Sequence, residues 1–282
     1  MKHAIITPVL NEESNLVTLI DSILAQTKLP DLWVFVDDGC TDRTIEIIEN
    51  YRKHNHFIQV VKHHKEKGYS SGSKIAKAVL FGIDQVDLKY YDFISKIDAD
   101  LIFQADYFES ILLSFQNNEQ LGLCGGVCAL SNDQLDIEKV AKSDHVRGAL
   151  KSYRTEAYID MGGIKAIEGW DSLDELLLRF YKWDVNVLEN QIVYHKRKTD
   201  THTGIWKSAI KSGRSFNVLG YNFCISLLAC IKLTLRPPYV FAFFLGIYGY
   251  LQSLIRNDGV GLSMEQKKFI NAYRWKKIFK IA

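Results

Sequence analysis

The chain has 282 residues, of which 47% are hydrophobic and 24% are charged. These proportions exclude a disordered chain and are not those of a polytopic membrane protein, and the length allows one large α/β domain with an appendage. The net charge of +2 hides an asymmetry: residues 1–195 hold 20 basic and 30 acidic side chains, whereas residues 196–282 hold 15 and 3. The basic part also carries long apolar stretches, which favour an anionic membrane surface over nucleic acid as its partner.

The N-terminal residues give no sign of export. The apolar run Ala4–Val9 is too short for the core of a signal peptide and no small-residue cleavage site follows it. We therefore expect the catalytic part of the chain in the cytoplasm. The five cysteines include no second pair that would complete a zinc site, so we expect reduced thiols.

Short apolar runs alternate with amphipathic stretches as far as residue 117. Strands are predicted at Ala4–Val9, Leu32–Val36, Phe57–Val61 and Phe93–Ile97, and helices at Glu12–Gln26, Thr41–Lys53, Ser71–Val86 and Ala105–Asn117. This alternation predicts right-handed crossovers and a Rossmann-like, mostly parallel sheet. In such sheets ligands bind beyond the carboxyl ends of the strands.

The pattern loosens after residue 118. We predict strands at Leu121–Leu130 and Val185–His195, a helix or turn at Lys151–Met161, and a helix at Leu173–Lys182 that begins with a capping box of Ser172 and Glu175. Two apolar stretches then flank Pro237-Pro238.

Acidic residues follow two of the predicted strands at the edge where ligands bind. Asp98-Ala99-Asp100 can direct two carboxylates at one Mg²⁺ or Mn²⁺, which takes its other ligands from water and a diphosphate. Asp37-Asp38 can accept hydrogen bonds from a base or a ribose. The alternatives are a solvated Asp-rich turn and, at Thr41-Asp42, simple capping of the next helix.

Three ordered motifs resemble those of the family 2 glycosyltransferases, which have the nucleotide-diphospho-sugar (GT-A) fold. They are Thr7–Glu13 (TPVLNEE), Val36–Thr44 (VDDGCTDRT, with Cys40 where serine is more usual) and Asp98-Ala99-Asp100. The similarity spans about residues 3–200. It implies an inverting, metal-dependent enzyme that moves a sugar from a nucleotide-diphospho-sugar, a UDP-sugar by default, to a glycan or lipid-linked acceptor in cell-surface polysaccharide or glycolipid synthesis.

Two rival functions share parts of this pattern. A sugar nucleotidyltransferase would carry a glycine-rich basic loop after its first strand, and Asn11-Glu12-Glu13-Ser14 is not one. A non-catalytic membrane-bound scaffold would be expected to lose Asp98 or Asp100, and both are present.

The resemblance also implies roles for individual residues of the donor site. Pro8 and Glu12 would line the nucleoside pocket, Asp37 or Asp38 would bind the base, Asp98 the ribose or the metal, and Asp100 the metal. Lys74, at the end of a glycine-containing loop that begins at Gly68, would lie near ribose or phosphate, or else is a solvated lysine in a first helical turn.

Inverting transfer needs a general base that deprotonates the acceptor hydroxyl. When Trp170 and Arg179 are matched to the family, Leu173 falls where the family has its catalytic Asp. Asp174 and Asp171 are then the candidates, and we slightly prefer Asp174 because it belongs to an acidic pair. Alternatively, both only favour the start of a helix electrostatically.

His195 ends the last predicted strand and can supply a further metal ligand, with His202 as its rival. The basic residues 196–198 that follow resemble a segment in a subgroup of bacterial family members. They would close over the diphosphate as a lid, or lie next to anionic lipid.

The chain therefore divides into a catalytic domain, residues 1–200, and a basic, hydrophobic helical tail, residues 201–282. Tyr239–Ile255 has no charge, but its 17 residues are at the short limit for crossing a bilayer core of about 30 Å. An interfacial hairpin at the cytoplasmic face of the cell membrane fits better. The alternative is a helical subdomain packed on the enzyme or on a second copy, which would make a homo-oligomer.

Overall fold

The computed structural model describes residues 1–63, 74–130, 145–195, 204–235, 237–259 and 261–279. Within these residues one mixed sheet of eight strands has the order β3-β2-β1-β4-β7-β6-β8-β5. The strands are β1 (His3–Val9), β2 (Leu32–Asp37), β3 (Ile58–Lys62), β4 (Phe93–Ile97), β5 (Leu101–Ile102), β6 (Leu121–Leu130), β7 (Leu150–Arg154) and β8 (Asp184–His195).

Six helices accompany this sheet and four follow it in the described part of the chain. The first six are α1 (Glu13–Leu24), α2 (Thr44–Arg52), α3 (Lys74–Asp84), α4 (Tyr107–Asn117), α5 (Thr155–Asp160) and α6 (Trp170–Phe180). The last four are α7 (Ile205–Val218), α8 (Phe223–Leu233), α9 (Val240–Arg256) and α10 (Met264–Phe279).

The parallel half of the sheet forms as the apolar runs predict. β1 lies between β2 and β4 and is parallel to both, and every residue of β2 is buried. Strands buried on both faces need helices above and below them. Gly82 allows α3 to pack closely on the sheet, because a Cβ there would lie 2.5 Å from the side chain of Val36 on β2. The carboxyl ends of β1, β2 and β4 consequently meet at one edge.

The other half of the sheet corrects one prediction. Lys151–Met161 was predicted as a helix or turn, but β7 occupies residues 150–154 and pairs antiparallel with both β4 and β6; only α5 is helical. The sequence Leu-Lys-Ser-Tyr-Arg does not look like a buried strand because three of its five residues are strongly polar. Lys151 and Ser152 are buried, and Arg154 is half-buried, because residues distant in the sequence supply their hydrogen-bond partners.

The predicted capping box at Ser172 and Glu175 is also wrong. α6 begins three residues earlier than predicted, at Trp170, and its N-cap is Gly169 in a left-handed conformation, with φ of 78° and no side-chain cap. Glu175 is buried and accepts a hydrogen bond from the backbone amide of Val146 at 2.8 Å. Its carboxylate therefore joins the helix to the sheet instead of capping it.

The last four helices pack on one another and on α6. Helices α7 and α9 approach very closely, because Gly213 lies against the carbonyl of Gly246. Helix α10 packs against the catalytic domain. Its Phe269 contacts Phe180 of α6 with ring centroids 5.6 Å apart, and its Ile270 is fully buried. Among the described residues, no helix combines the length and the apolar character that crossing a membrane requires.

Candidate active site

The first carboxylate of the site shapes its own loop. Asp37 ends β2, and its Oδ1 accepts hydrogen bonds from the backbone amides of Gly39 at 2.9 Å and Cys40 at 2.8 Å. Burial would raise the pKa of Asp37, but these amides, with Lys62 nearby, hold it below its ordinary value. Asp37 is therefore a fixed anion at the strand end.

Asp38 and the residues after β1 are joined by hydrogen bonds to neighbouring loops at the same edge of the sheet. Asp38 Oδ1 lies 2.9 Å from His63 Nδ1, just after β3. Asn11 Oδ1 accepts from the amide of Thr41 at 2.8 Å, which joins the loop after β1 to the loop after β2. Glu12 and Pro8, the other predicted nucleoside residues, are half-buried at the same edge.

Asp98 follows β4 and has a partner that the sequence did not suggest. Lys96 Nζ donates to Asp98 Oδ1 and to the carbonyl of Gly148, the latter at 2.7 Å. The lysine is only 3% exposed, whereas the Asp98 side chain is 29% exposed. One carboxylate oxygen is thus held by a buried cation, and the side chain remains open to the site.

Asp100 and His195, predicted as metal ligands, lie together. The short strand β5 pairs antiparallel with the end of β8, with Leu101 opposite His195, and this places His195 Nε2 3.1 Å from Asp100 Oδ2. Neighbouring ligands of a six-coordinate ion bound at about 2.1 Å are about 3 Å apart, so the pair fits one side of a Mg²⁺ or Mn²⁺ site.

Further ligands for this ion would come from outside the pair. No group of three or more potential metal ligands lies together within the described residues. Mg²⁺ usually keeps several waters and binds substrate phosphates beside one or two carboxylates, so two protein ligands suffice for it.

Asp174 is locked in the interior. Lys151 Nζ lies 2.8 and 2.9 Å from its two carboxylate oxygens, Tyr153 donates to its Oδ2, and the residue is 2% exposed. Burial raises the pKa of Asp174, although Lys151 favours its charged form. Its hydrogen-bonding capacity is directed at the protein rather than at the space where an acceptor would enter.

Asp171 is half-buried and lies against the backbone just before β7. A Cβ on Gly148 would lie 3.0 Å from Asp171 Cβ and 3.3 Å from its Oδ2, so this carboxylate lies directly against the main chain at residue 148. The amide of Asp98 in turn donates to the carbonyl of Ala149 at 2.9 Å. Asp171 and Asp98 therefore both contact the backbone segment of residues 148 and 149.

Parts of the predicted site fall outside the described residues. These are the glycine-containing loop up to residue 73, the basic residues 196–198 and His202. Lys74 is described and is exposed at the first residue of α3.

Comparison with known proteins decides the family. The sequence matches the family model for glycosyl transferase family 2 over residues 4–164, more than half of the chain. The chain belongs to glycosyl transferase family 2. This confirms the enzyme class that the three motifs predicted.

Curated relatives cover the same region. Poly-beta-1,6-N-acetyl-D-glucosamine synthase of Staphylococcus epidermidis is 22% identical over 227 residues, which are 71% of this chain and 51% of that protein. The enzyme of the same name from Staphylococcus aureus is 24% identical over 187 residues, 64% of this chain and 42% of that protein. The chain thus spans about half the length of the curated relatives it matches.

Solved structures share the fold. TarS (residues 1–349) of S. aureus in complex with UDP-GlcNAc has a TM-score of 0.59 at 16% identity, and 93% of each chain is covered. The mannosyltransferase PcManGT of Pyrobaculum calidifontis, solved with GDP-Man and Mn²⁺, has a TM-score of 0.59 at 14% identity, with 100% of this chain and 88% of that chain covered. These likenesses confirm the predicted GT-A fold.

Proposed function

We propose that the protein is an inverting glycosyltransferase that moves a sugar from a nucleotide-diphospho-sugar to a glycan or lipid-linked acceptor of the cell surface. The observation that carries this proposal is the convergence of Asp37, Asp98 and the Asp100–His195 pair at one sheet edge, with Asp171 beside it. A UDP-sugar is the donor we favour. TarS was solved with UDP-GlcNAc, and the curated relatives are named for polymers of N-acetylglucosamine.

On the donor side, Pro8, Glu12 and Asp37 or Asp38 bind the nucleoside, and Lys74 lies near ribose or phosphate. Asp98 contacts the ribose or the metal. Asp100 and His195 would hold Mg²⁺ or Mn²⁺, which would neutralise the departing diphosphate. The Mn²⁺ in the related mannosyltransferase supports this choice of cation.

On the acceptor side, exposure reverses the order of the two candidate bases. Asp174 would have to leave Lys151 and Tyr153 before it could accept a proton. Asp171 is half-exposed and next to the backbone that borders Asp98. We therefore assign the base to Asp171, which accepts the proton of the acceptor hydroxyl as that oxygen attacks the anomeric carbon.

We also propose that α8 and α9 attach the enzyme to the cytoplasmic face of the membrane. Large apolar side chains of these helices and their connection are more than half exposed: Phe223, Leu235, Val240, Phe241, Phe244, Tyr248, Leu254 and Ile255. Residues 204–257 contain six Lys or Arg and no Asp or Glu. An apolar face on a segment whose only charged residues are cations fits an anionic lipid surface better than a second copy with the same charge.

The proposal is tested by incubating the protein with a panel of nucleotide-sugars, in Mg²⁺ and in Mn²⁺, and measuring release of the nucleoside diphosphate. We expect release from UDP-GlcNAc or another UDP-sugar, and its loss in Asp100→Ala together with metal-dependent binding of UDP. Glu156→Ala, an exposed carboxylate on α5, is the matched control. Formation of a nucleotide-sugar from a nucleoside triphosphate and a sugar phosphate, without release from the panel, would instead identify a nucleotidyltransferase.

A further inference from the structure

Two buried lysines stand directly opposite each other in the sheet. Lys96 of β4 and Lys151 of β7 are register partners on antiparallel strands, and they are 3% and 0% exposed. Like charges at such positions destabilise a sheet, and each buried charge adds a desolvation cost. Apolar residues of similar size would hold the two strands together at a lower cost. The pair therefore calls for an explanation beyond the stability of the sheet.

Each lysine contacts a different side of the candidate active site. Lys96 Nζ binds the carboxylate of Asp98 and the carbonyl of Gly148. Lys151 Nζ binds the carboxylate of Asp174 and also the backbone carbonyl of Asp171, the latter at 2.5 Å. The first lysine thus fixes a donor-side group, and the second fixes the first turn of the helix that carries the acceptor-side carboxylate.

A single indole ring connects the two cations. Trp170, the first residue of α6, has its ring centroid 5.5 Å from Lys96 Nζ and 5.8 Å from Lys151 Nζ. It is 8% exposed. Attraction between a cation and an aromatic ring is strongest for Trp and increases when both partners are desolvated. The start of α6 is consequently held against both strands at once.

The contact of Gly148 with Trp170 and Asp171 sets how closely the start of α6 approaches the sheet. Gly148 lies between Lys96, which donates to the Gly148 carbonyl, and Asp171. A Cβ at residue 148 would be 3.0 Å from Asp171 Cβ and 3.2 Å from the Trp170 ring. These distances are shorter than ordinary van der Waals contacts, so a Cβ at residue 148 would push the side chains of Asp171 and Trp170 away by a few tenths of an ångström. The absence of a side chain at Gly148 thus lets Asp171 pack directly against the backbone segment to which Asp98 is hydrogen-bonded.

We propose that Lys96, Trp170 and Lys151 are positioning residues that set the separation between Asp98 on the donor side and Asp171 on the acceptor side. This inference rests on the proposed function, because it assigns those two carboxylates to opposite substrates. Its chemical basis is the sensitivity of group transfer to geometry, since a misplacement of about 1 Å can lower a rate about a hundredfold.

The test uses the full chain and three variants. Gly148→Ala shifts Asp171, Lys96→Met removes the cation at Asp98, and the double variant Lys151→Met with Asp174→Leu removes a buried ion pair without leaving a lone charge. Gly259→Ala is the control, because a Cβ there meets nothing within 4 Å. Turnover is release of UDP from UDP-GlcNAc, or from the nucleotide-sugar that the panel identifies. Calorimetry with UDP and Mn²⁺ gives the donor affinity and, from the stoichiometry, the folded fraction.

We expect each variant to lower kcat at least tenfold per folded molecule. In Gly148→Ala and in the double variant, the dissociation constant of UDP should stay within about threefold of wild type. A merely structural role would lower the melting temperature or the stoichiometry and leave kcat unchanged, and that result would overturn the inference. If the wild-type enzyme released nucleotide from no donor, the proposed function itself would fail, and the inference with it. Turnover in wild type and unchanged kcat in all three variants would reject the inference alone.

Discussion

Asp171 and Asp174 are one helical turn apart on α6 and have opposite surroundings. We predict that Asp171→Asn lowers release of UDP from the donor by a factor of 10² to 10⁴, the usual contribution of a general base. Donor affinity should barely change, because the carboxylate acts on the acceptor. Steady-state kinetics combined with calorimetric binding of UDP measures both quantities on the same preparation.

Asp174→Asn is the matched comparison, and its effect should fall on stability. The substitution removes the nearer of the two buried carboxylates that Lys151 contacts and leaves Glu175 Oε1 at 3.3 Å; breaking a buried ion pair costs about 3–5 kcal/mol in comparable cases. Denaturant unfolding should therefore show a lower free energy of unfolding, whereas kcat per folded molecule should fall much less than in Asp171→Asn. The reverse pattern, a stable Asp174→Asn protein with little activity beside an active Asp171→Asn protein, would return the role of base to Asp174.

His3 gives the fold a dependence on pH that is separate from catalysis. It is fully buried, stacks on Phe93 with ring centroids 4.1 Å apart, and has Nε2 2.8 Å from Ser95 Oγ. Burial, with a smaller contribution from Lys28, lowers the pKa of His3 from 6.5 to about 3. Below pH 6.5 the His3 imidazole is therefore protonated in the unfolded chain but stays neutral in the folded chain. The free energy of unfolding consequently falls as the pH decreases from 6.5 towards 3.

The expected slope from this one group is about 1.4 kcal/mol per pH unit within that window. His3→Phe should remove it, and Ser95 would keep its contact with Ser152, 2.7 Å away. Urea unfolding at several pH values between 4 and 7 measures the slope. His56→Phe, at an exposed histidine, is the control. If wild type and His3→Phe had parallel profiles, His3 would not be the source of the acid sensitivity.

At the scale of elements, the sequence predicts the strands whose burial follows from their own composition. β1, β2 and β4 are apolar runs, and their bounds agree with prediction within one residue. β7 was missed because Lys151 and Ser152 are buried through partners on α6 and β4. A pattern read along one segment carries no information on such distant partners.

Some residues of the candidate site could be predicted from the sequence and others could not, for the same reason. Carboxylates at strand ends were found because parallel strands end at a common edge, and Asp37, Asp98 and Asp100 are there. Lys96 and His63 were missed, although a lysine in the apolar run Phe-Ile-Ser-Lys-Ile is a visible signal of a buried charge. Their roles depend on contacts with Asp98 and Asp38, whose distances only the fold sets.

The close packing of α7 against α9 depends on residues of both helices. Beyond Gly213 and Gly246, it includes Gly249, where a Cβ would lie 2.1 Å from the carbonyl of Ile210, and a hydrogen bond from Asn217 to Ser253 of 3.0 Å. Backbones approach this closely only where side chains are absent.

We predict that Gly213→Ala separates these helices, because the new Cβ would lie 1.9 Å from the carbonyl oxygen of Gly246, a distance that no rotamer relieves. Overpacking of this kind costs about 1–3 kcal/mol or more. Differential scanning calorimetry should show a lower melting temperature, and Gly259→Ala should match wild type. An unchanged melting temperature in Gly213→Ala would mean that the helices are not packed in this way in solution.

At the scale of the whole molecule, the last four helices contact the part of the enzyme where we propose that the acceptor binds. Lys211 of α7 lies 3.8 Å from Glu168, and a Cβ on Gly169 would lie 3.7 Å from Ser215 of the same helix. Helix α10 packs on α6 through Phe269. The helix that carries Asp171 therefore contacts the same helical unit that exposes the apolar face, and a bound membrane would lie in a fixed orientation to the acceptor site.

The membrane proposal makes the last prediction. Phe244, Leu254 and Ile255 of α9 are 62%, 55% and 85% exposed, and their replacement by Gln should remove the apolar contact while keeping helix-compatible side chains. At about 1 kcal/mol lost for each partly inserted side chain, the partition coefficient should fall at least a hundredfold. Co-sedimentation with vesicles of phosphatidylglycerol and phosphatidylcholine measures it, and added salt should weaken wild-type binding because of the cations in the same segment.

The control for this variant carries the same chemical change elsewhere. Leu113 and Ile159 are 48% and 58% exposed on the catalytic domain, and their replacement by Gln should leave vesicle binding unchanged. Wild-type protein could instead stay in the supernatant at low salt and form a dimer in analytical ultracentrifugation. If the α9 variant abolished that dimer, a second copy of the chain would cover this face. If both variants lost vesicle binding equally, the loss would not be specific to the apolar face of α9. That result would contradict the assignment of the lipid contact to α9.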